Sequence, residues 1–448
     1  MTAPGGPIPV DLGTSTVTSV RAPGAPGLAA AVGYVGHPVL QTVALAAADT
    51  AALGSDFARA GLLYERPTVV DDTFTDSLGI EWLWADNAAA PLRHPLEKAD
   101  YLGVARHPRP VLPPLVQAAA PPAADGEVPA DSQGARGGQT PRCGQPLPLV
   151  VADAPVSGLL ETCFGLRGSW QFMEDITEDW RVANALLDWS LDMVATAYER
   201  MLTVLPTQPD VVLYGDDYGY QAGMFLSDAD FRTFVKPRLR TLFSRIRRVT
   251  TARLCFHCCG AVSAILPDLA DLGSGLLNLQ RDARGMELYR VRKALPADTV
   301  LHGYADLRAL GAALADDDRG TVAAIMSELV ASGPAIAAPV DCLADAAELS
   351  AAARGARFVR ALSGDDVADL RRLGPVAAIL DRAASLASAI AEGDAARDGQ
   401  APIGIPPTAI TLPSRHGSAE SRQTHPRPGK DAGPAPSMGK EAQQCPIR

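Results

Sequence analysis

Residues 254–260 read Leu-Cys-Phe-His-Cys-Cys-Gly, an apolar strand-like run that ends in two metal-binding residue types and a glycine. Side chains two apart in a strand share a face, so Cys255, His257 and Cys259 face one way and Cys258 faces the other. The Cα atoms of His257 and Cys259 are then roughly 6.6 Å apart, so both side chains can reach one ion through bonds of about 2.0–2.3 Å. The pattern indicates half of a zinc site, although a buried cysteine is often only a small apolar side chain.

Similar apolar runs recur along the chain and mostly alternate with helical patterns. Such alternation is typical of parallel strands joined by helical crossovers. Eight strands in this length predict an α/β fold, a (β/α)8 TIM barrel, with an open doubly wound sheet as the alternative. The doubly wound sheet is disfavoured because no glycine-rich phosphate loop follows the first strand. The predicted strands are residues 8–12, 147–153, 158–165, 211–215, 251–256, 276–280, 299–304 and 335–339.

The barrel is expected to occupy residues 1–395 as a single domain. Residues 118–145 are rich in Ala, Pro, Gly and Gln, which predicts a disordered insertion. Residues 396–448 have a similar composition and are predicted to be a disordered tail. Residues 67–84 mix β-branched, acidic and aromatic types, which indicates a hairpin or paired extended segments.

Composition excludes several classes of partner. The 448-residue chain has a formal charge of −11 and a pI near 5.2, which argues against a nucleic-acid groove or an anionic membrane surface. Its seven cysteines have no disulfide-like spacing, which is typical of a reducing compartment. The first ten residues lack the features of a signal peptide, and no uninterrupted apolar run is long enough to span a membrane. We therefore expect a cytoplasmic protein.

Polar residues follow most of the predicted strands, and a barrel would place them around one mouth. Asp11 and Asp153 are as consistent with loop capping as with function, because Asp is a favoured turn residue. Gln280 is also consistent with a bond to loop backbone, and Cys342 with a buried thiol. The predicted mouth residues are Asp11, Asp153, Arg167, Asp216, Asp217, His257, Cys259, Gln280, Asp306, Asp341 and Cys342.

The adjacent carboxylates Asp216 and Asp217 end an apolar strand beside Tyr218 and Gln221. A solvated turn is the simpler interpretation, but two acids at the end of a buried strand favour a functional role.

Several of these stretches resemble one known family. They are 9–13 (Pro-Val-Asp-Leu-Gly), 164–168 (Phe-Gly-Leu-Arg-Gly), 214–221 (Tyr-Gly-Asp-Asp-Tyr-Gly-Tyr-Gln), 234–237 (Phe-Val-Lys-Pro), 257–260 (His-Cys-Cys-Gly) and 277–280 (Leu-Asn-Leu-Gln). In this order they resemble the uroporphyrinogen decarboxylase superfamily, and within it the cobalamin-dependent methyltransferases and their uncharacterised relatives.

The resemblance implies a zinc ion held by a His-x-Cys pair and by a cysteine after the last barrel strand. His257 and Cys259 match the pair. Registered on the Ala-Pro of residues 338–339, the family's cysteine falls at Asp341, whereas the cysteine of this chain is Cys342. Either residue type ligates zinc, so both are candidates.

The same resemblance suggests roles for the other mouth residues. Asp217 and Tyr218 are the candidate catalytic residues. The candidate substrate-binding residues are Asp11, Arg167, Asp216, Gln221, Gln280 and Asp306, with Arg167 as an anion contact.

The implied reaction moves a methyl group between a corrinoid and a small-molecule acceptor or donor. No corrinoid-binding segment is recognisable in the sequence, so we expect a partner protein to supply that cofactor.

Two alternatives stay open. The first is decarboxylation of a tetrapyrrole, but those enzymes carry an arginine-rich motif near the first strand. Here residues 13–16 read Gly-Thr-Ser-Thr, and the first arginine is Arg21. A mouth holding two acids would also repel a polycarboxylate. The second alternative is a small-molecule-binding barrel without catalysis.

Overall fold

The computed structural model describes somewhat under two thirds of the chain, including all residues of the predicted strands except Leu147. The described residues are 8–12, 20–21, 42–43, 50, 53–61, 69–85, 88–110, 148–206, 208–340, 343, 346–362 and 364–373. The predicted insertion at 118–145 and the predicted tail at 396–448 lie outside them.

Seven parallel strands form one sheet in which each strand pairs with its neighbour in the chain. Helical crossovers separate most of them, as expected for parallel strands. The strands are β1 (Phe57–Ala60), β2 (Leu149–Ala152), β3 (Val211–Gly215), β4 (Arg253–Cys258), β5 (Leu276–Leu279), β6 (Val300–Asp306) and β7 (Ala335–Ala338).

Residues 8–12 lie between the two edge strands of this sheet. Val10 forms a parallel bridge with Ala337 of β7, and the Asp11 N–H donates to the Ala337 carbonyl at 2.8 Å. On the other side, the Asp56 N–H just before β1 donates to the Val10 carbonyl at 2.7 Å. The segment therefore serves as the eighth strand and closes the barrel, which confirms the predicted fold.

One predicted strand is a helix in the structure, and one strand of the sheet was not predicted. The prediction of a strand at 158–165 is wrong, because Leu159–Arg167 is a helix. Short apolar runs are ambiguous between strand and buried helix, and here the buried positions recur at helical spacing. The missing strand is β1, whose Phe-Ala-Arg-Ala sequence has no β-branched residue to signal it. The buried apolar residues of the helix are Leu159, Leu160, Cys163 and Leu166.

The helices pack outside the barrel. None of the described helices is both long and apolar enough to cross a membrane. Their bounds are Tyr101–Arg106, Leu159–Arg167, Ser169–Glu178, Trp180–Val204, Asp228–Asp230, Lys236–Val249, Leu266–Asp271, Leu288–Ala294, Leu307–Ala315, Arg319–Ala331, Ala346–Ala361 and Gly364–Leu373, with a π-helical turn at Phe231–Val235 and a 3-10 turn at Ser263–Ile265.

Small antiparallel sheets lie outside the barrel. Thr73–Thr75 pairs with Glu81–Ala85, which confirms the predicted hairpin, and Ala88–Arg93 adds a third strand. Two further short strands, Val20–Arg21 and Thr42–Val43, pair with each other.

The lower half of the barrel interior is an apolar cluster. It comprises Phe57, Val151, Val211, Leu213, Cys255, Leu276, Val300 and Ile336. Because alternate residues of a strand share a face, the interior residues one layer nearer the mouth lie two positions further along each strand. Those residues are mostly polar, so the site lies where the apolar filling of the barrel ends.

Candidate functional site

His257 lies near the C-terminal end of β4, two residues beyond the buried Cys255. Its register partners are Gly215 on β3 and Asn278 on β5. Gly215 has no side chain, so the imidazole has room on that side, while Asn278 contacts the other side. The strand order thus places one ring nitrogen against β5 and leaves the other directed at the mouth.

Three potential metal ligands meet at this position. Cys259 Sγ lies 3.4 Å from His257 Nε2, and Asp217 Oδ1 lies 3.9 Å from the same nitrogen. The three ligand atoms all lie within 4.8 Å of one another. Two ligands with bonds of about 2.0 and 2.3 Å at a tetrahedral angle are about 3.5 Å apart, so these residues fit one zinc ion. The side chains of His257 and Asp217 are 18% and 11% exposed, so the group is open to the mouth.

Hydrogen bonds hold the ends of β3, β4 and β5 together around this group. The Cys259 N–H donates to Asp217 Oδ1 at 2.7 Å, and the Gly260 N–H donates to Gln280 Oε1 at 2.8 Å. Gly260 has a φ of +88°, in the left-handed region that favours glycine. The turn after Cys259 is thus fixed by side chains of both neighbouring strand ends.

Cys258 faces the layer outside the barrel, as strand alternation predicts. Its Sγ accepts from the Tyr218 N–H at 3.4 Å, and the residue is fully buried. Burial, with a smaller effect from the charge of Asp217, raises the pKa of the Cys258 thiol well above its usual value. It is not among the three grouped ligands.

A row of hydrogen bonds runs from His257 across the inner face of the barrel. Its Nδ1 lies 2.6 Å from Asn278 Oδ1, and Asn278 Nδ2 lies 2.7 Å from His302 Nδ1 on β6. The row ends at Asp11, whose Oδ2 lies 2.9 Å from His302 Nε2. The predicted mouth residue Asp11 is therefore linked to His257 through two side chains.

Asp216 lies in a different environment from its neighbour Asp217. It is buried, accepts the backbone N–H groups of Leu160 and Glu161, and also accepts the hydroxyls of Tyr214 and Tyr218. Burial raises the pKa of Asp216 to about 6, although each of these hydrogen bonds opposes the shift. Asp216 thus binds the start of the Leu159–Arg167 helix, and the predicted catalytic residue Tyr218 directs its hydroxyl to this carboxylate.

Two further predicted mouth residues, Arg167 and Asp306, are engaged elsewhere. The Arg167 guanidinium donates to Asp175 at 2.7 and 3.0 Å and also to two backbone carbonyls. Asp306 caps the Leu307–Ala315 helix through the Arg308 N–H, and the Gln221 side chain is exposed. Asp341 and Cys342 lie outside the described residues.

Sequence reasoning missed three polar residues on the inner face. Asn278 and His302 join the row described above, and Arg59 forms a buried ion pair with Asp153 at 3.0 Å. The available signal was a polar residue inside an apolar strand, as in Leu-Leu-Asn-Leu at 276–279. An uncompensated polar group in a barrel interior is costly, so such a residue indicates partners.

Part of this chain is similar to a known protein family. Residues 152–328 match the family model described as uroporphyrinogen decarboxylase (URO-D). The match covers 177 of the 448 residues, and over this segment the chain is similar to uroporphyrinogen decarboxylases. The URO-D segment extends from the end of β2 to the Arg319–Ala331 helix and contains Asp217, His257 and Cys259.

Solved structures that are similar to this chain include a methyltransferase from Methanosarcina mazei. It shares 16% sequence identity with this chain at a TM-score of 0.47, and the alignment covers 78% of this chain and 93% of that one. A comparison with curated proteins found no match.

Proposed function

We propose that this protein is a zinc-dependent methyltransferase that moves a methyl group between a corrinoid carried by a partner protein and a small molecule, with a thiol as the simplest acceptor. The observation that carries the proposal is the convergence of Asp217, His257 and Cys259 at the mouth. A sulfur, a nitrogen and an oxygen donor together suit zinc, and three protein ligands with one open position are typical of catalytic zinc.

The donor set also gives a balanced local charge. A thiolate, a carboxylate and a neutral imidazole together carry two negative charges, which match one divalent cation. When bound, the cation would supply positive charge that lowers the pKa of a thiol at the open position. Cys342 or Asp341 stays the third ligand proposed from the sequence, and Asp217 is an alternative third donor that the sequence did not suggest for the metal.

The residues of this chain would perform the binding and positioning. His257 and Cys259 project from one strand end and Asp217 from the loop after its neighbour, so the barrel itself sets their spacing. Gln280 orients the turn at Gly260, which in turn places Cys259. Because the group opens to the mouth, a methyl carrier on a separate protein has a route to it. Gln280, which contacts the turn after Cys259, is the proposed substrate contact beside this group.

Tetrapyrrole decarboxylation fits these residues less well. The inner face around the site holds the carboxylates Asp11, Asp153 and Asp217, and the buried Arg59 is already paired with Asp153. A substrate with several carboxylates needs compensating positive charge when it leaves water.

The test is an assay of one purified sample for both reactions. The first assay uses free methylcobalamin with a small alkyl thiol and measures the absorbance change that accompanies demethylation of the cobalamin. The second assay uses uroporphyrinogen as the substrate. We expect demethylation that a chelator abolishes and zinc restores. His257→Ala and Cys259→Ala should be inactive, whereas Cys258→Ala, the matched control, should keep activity. Decarboxylation of uroporphyrinogen that persists in chelator would overturn the proposal, and a zinc-free protein inactive in both assays would favour a binding barrel.

A further inference from the structure

The row from His257 to Asp11 crosses the adjacent strands β4, β5 and β6 and ends on the closing segment 8–12, which lies on the far side of β7. His257 and Asn278 are register partners between β4 and β5, and Asn278 and His302 are register partners between β5 and β6. Asp11, on the segment that closes the barrel, completes the row through its hydrogen bond to His302. Asp11, Asn278 and His302 are each at most 5% exposed, so bulk water hardly competes for these bonds.

The orientation of the Asn278 amide is determined by its surroundings. One end of the amide lies 3.2 Å from the His302 backbone carbonyl, which accepts hydrogen bonds and cannot donate them. That end must therefore be the NH₂ group, because an oxygen there would face another oxygen. The same NH₂ group lies 2.7 Å from His302 Nδ1, and so the amide oxygen faces His257.

The amide orientation determines the tautomers of both histidines. An amide oxygen only accepts, so His257 must carry its proton on Nδ1, which leaves a lone pair on Nε2. An amide NH₂ only donates, so His302 Nδ1 must accept. The His302 proton is then on Nε2 and is donated to the Asp11 carboxylate. All the contacts in the row are satisfied by this one arrangement of protons.

We propose that Asn278, His302 and Asp11 are positioning residues that hold His257 in the Nδ1-protonated tautomer, with the lone pair of Nε2 aimed at the space shared with Asp217 and Cys259. The metal-binding consequence rests on the proposed function, whereas the tautomer itself does not. Histidine ligands generally need a partner on the second ring nitrogen, and loss of such a partner typically costs about 10–100-fold in metal affinity. In this chain the partner is an amide whose orientation depends on a second histidine.

The first experiment measures tautomers in the metal-free wild-type protein. The seven histidines are labelled with nitrogen-15, and long-range nitrogen–proton correlation spectra are recorded with chelator present. Signals are assigned with His257→Gln and His302→Gln. We expect His257 to be protonated on Nδ1 only and His302 on Nε2 only. A proton on His257 Nε2, or fast exchange between both of its nitrogens, would overturn the inference whether or not the protein binds zinc.

The second experiment measures zinc affinity by competition with a chromophoric chelator. Asn278→Ala should raise the zinc Kd by about 10–100-fold and abolish the tautomer preference of His257. Ser190→Ala is the matched control, because it also removes a buried hydrogen bond, from Ser190 Oγ to the Leu159 carbonyl, but lies in the outer helix layer. Its zinc Kd should stay within about twofold of wild type. If Asn278→Ala does not fold, His302→Gln replaces it, and a Kd unchanged within twofold in the folded variant would contradict the inference.

The two experiments separate this inference from the proposed function. If the wild-type protein shows the expected tautomers but does not bind zinc, the proposed function is refuted, whereas the inference about the tautomers is supported. Zinc binding with the opposite tautomer of His257 would refute the inference about the hydrogen-bonded row but would not contradict the proposed function.

Discussion

Cys259 Sγ lies 3.4 Å from His257 Nε2 at the end of one barrel strand, with both side chains directed at the mouth. The residue between them, Cys258, faces the helical layer instead. Adjacent side chains point to opposite faces because residues alternate along a strand. Substitutions of Cys258 and Cys259 should therefore have different effects on the candidate metal site.

We expect purified protein to contain about one zinc per chain, lost in His257→Ala and Cys259→Ala and retained in Cys258→Ala. Asp217→Asn should weaken zinc binding by more than about tenfold, because it removes a charged donor. The side-chain amide at position 217 of this variant should still accept the hydrogen bond from the Cys259 N–H, since an amide oxygen can replace that carboxylate oxygen. Elemental analysis and chelator competition measure these effects. If Cys258→Ala lost as much zinc as Cys259→Ala, the conclusion that the Cys258 side chain points away from the metal site would be contradicted.

Gly260→Ala should destabilise the protein strongly. An added Cβ would lie 2.1 Å from the backbone of Gly219, at a φ of +88° that other residues rarely adopt. We expect a loss of about 3 kcal/mol or more in the free energy of unfolding, measured with urea.

Gly275→Ala is the control for that measurement, because a Cβ there meets no atom within 4 Å. Its free energy of unfolding should change by less than about 0.5 kcal/mol. Equal effects of the two substitutions would show that the turn at Gly260 is not tightly packed.

Arg167→Met tests whether Arg167 supports the fold. Its pair with Asp175 is buried, with side-chain exposures of 7% and 4%, so the substitution leaves an unpaired carboxylate inside the protein. We expect a loss of about 3–5 kcal/mol. Arg240→Ala removes an exposed pair with Asp271 and should cost less than about 1 kcal/mol. If Arg167→Met unfolds at the same urea concentration as wild type, Arg167 is free for a role in the mouth.

Asp216 should make stability depend on pH in an unusual direction. Its pKa is raised from 3.8 to about 6, so between those values the folded protein holds a proton that the unfolded chain has released. Protonation of Asp216 therefore stabilises the folded protein by up to roughly 3 kcal/mol below about pH 4. This stabilisation is lost as the pH rises to about 6. In Asp216→Asn this contribution is absent.

The measurable quantity is the difference in free energy of unfolding between wild type and Asp216→Asn across pH 4 to 6. We expect wild type to lose stability relative to the variant as the pH rises. A constant difference would mean that Asp216 titrates alike in the folded and unfolded states.

Much of the barrel was predictable because strand and helix patterns are local. Runs such as 211–215 and 276–280 are apolar enough to identify buried strands without knowledge of their neighbours. Residues 158–165 were assigned wrongly and β1 was missed, because both patterns are short and tertiary packing decides their conformation. The helix beginning at Leu159 depends on Asp216, a residue more than 50 positions away.

The sequence by itself determined the strand that carries His257 and Cys259 and the face they share, since alternation along a strand needs no other part of the chain. Only the tertiary structure decided which partners meet that face. Asp217 joins the candidate metal ligands while the adjacent Asp216 binds a helix, because one points to the mouth and the other to the outer layer. Asn278, His302 and Asp11 align with His257 only when the barrel closes, since Asp11 and His302 are 291 positions apart in the sequence. Register between strands is set by the packing of the whole sheet, and no local pattern contains that information.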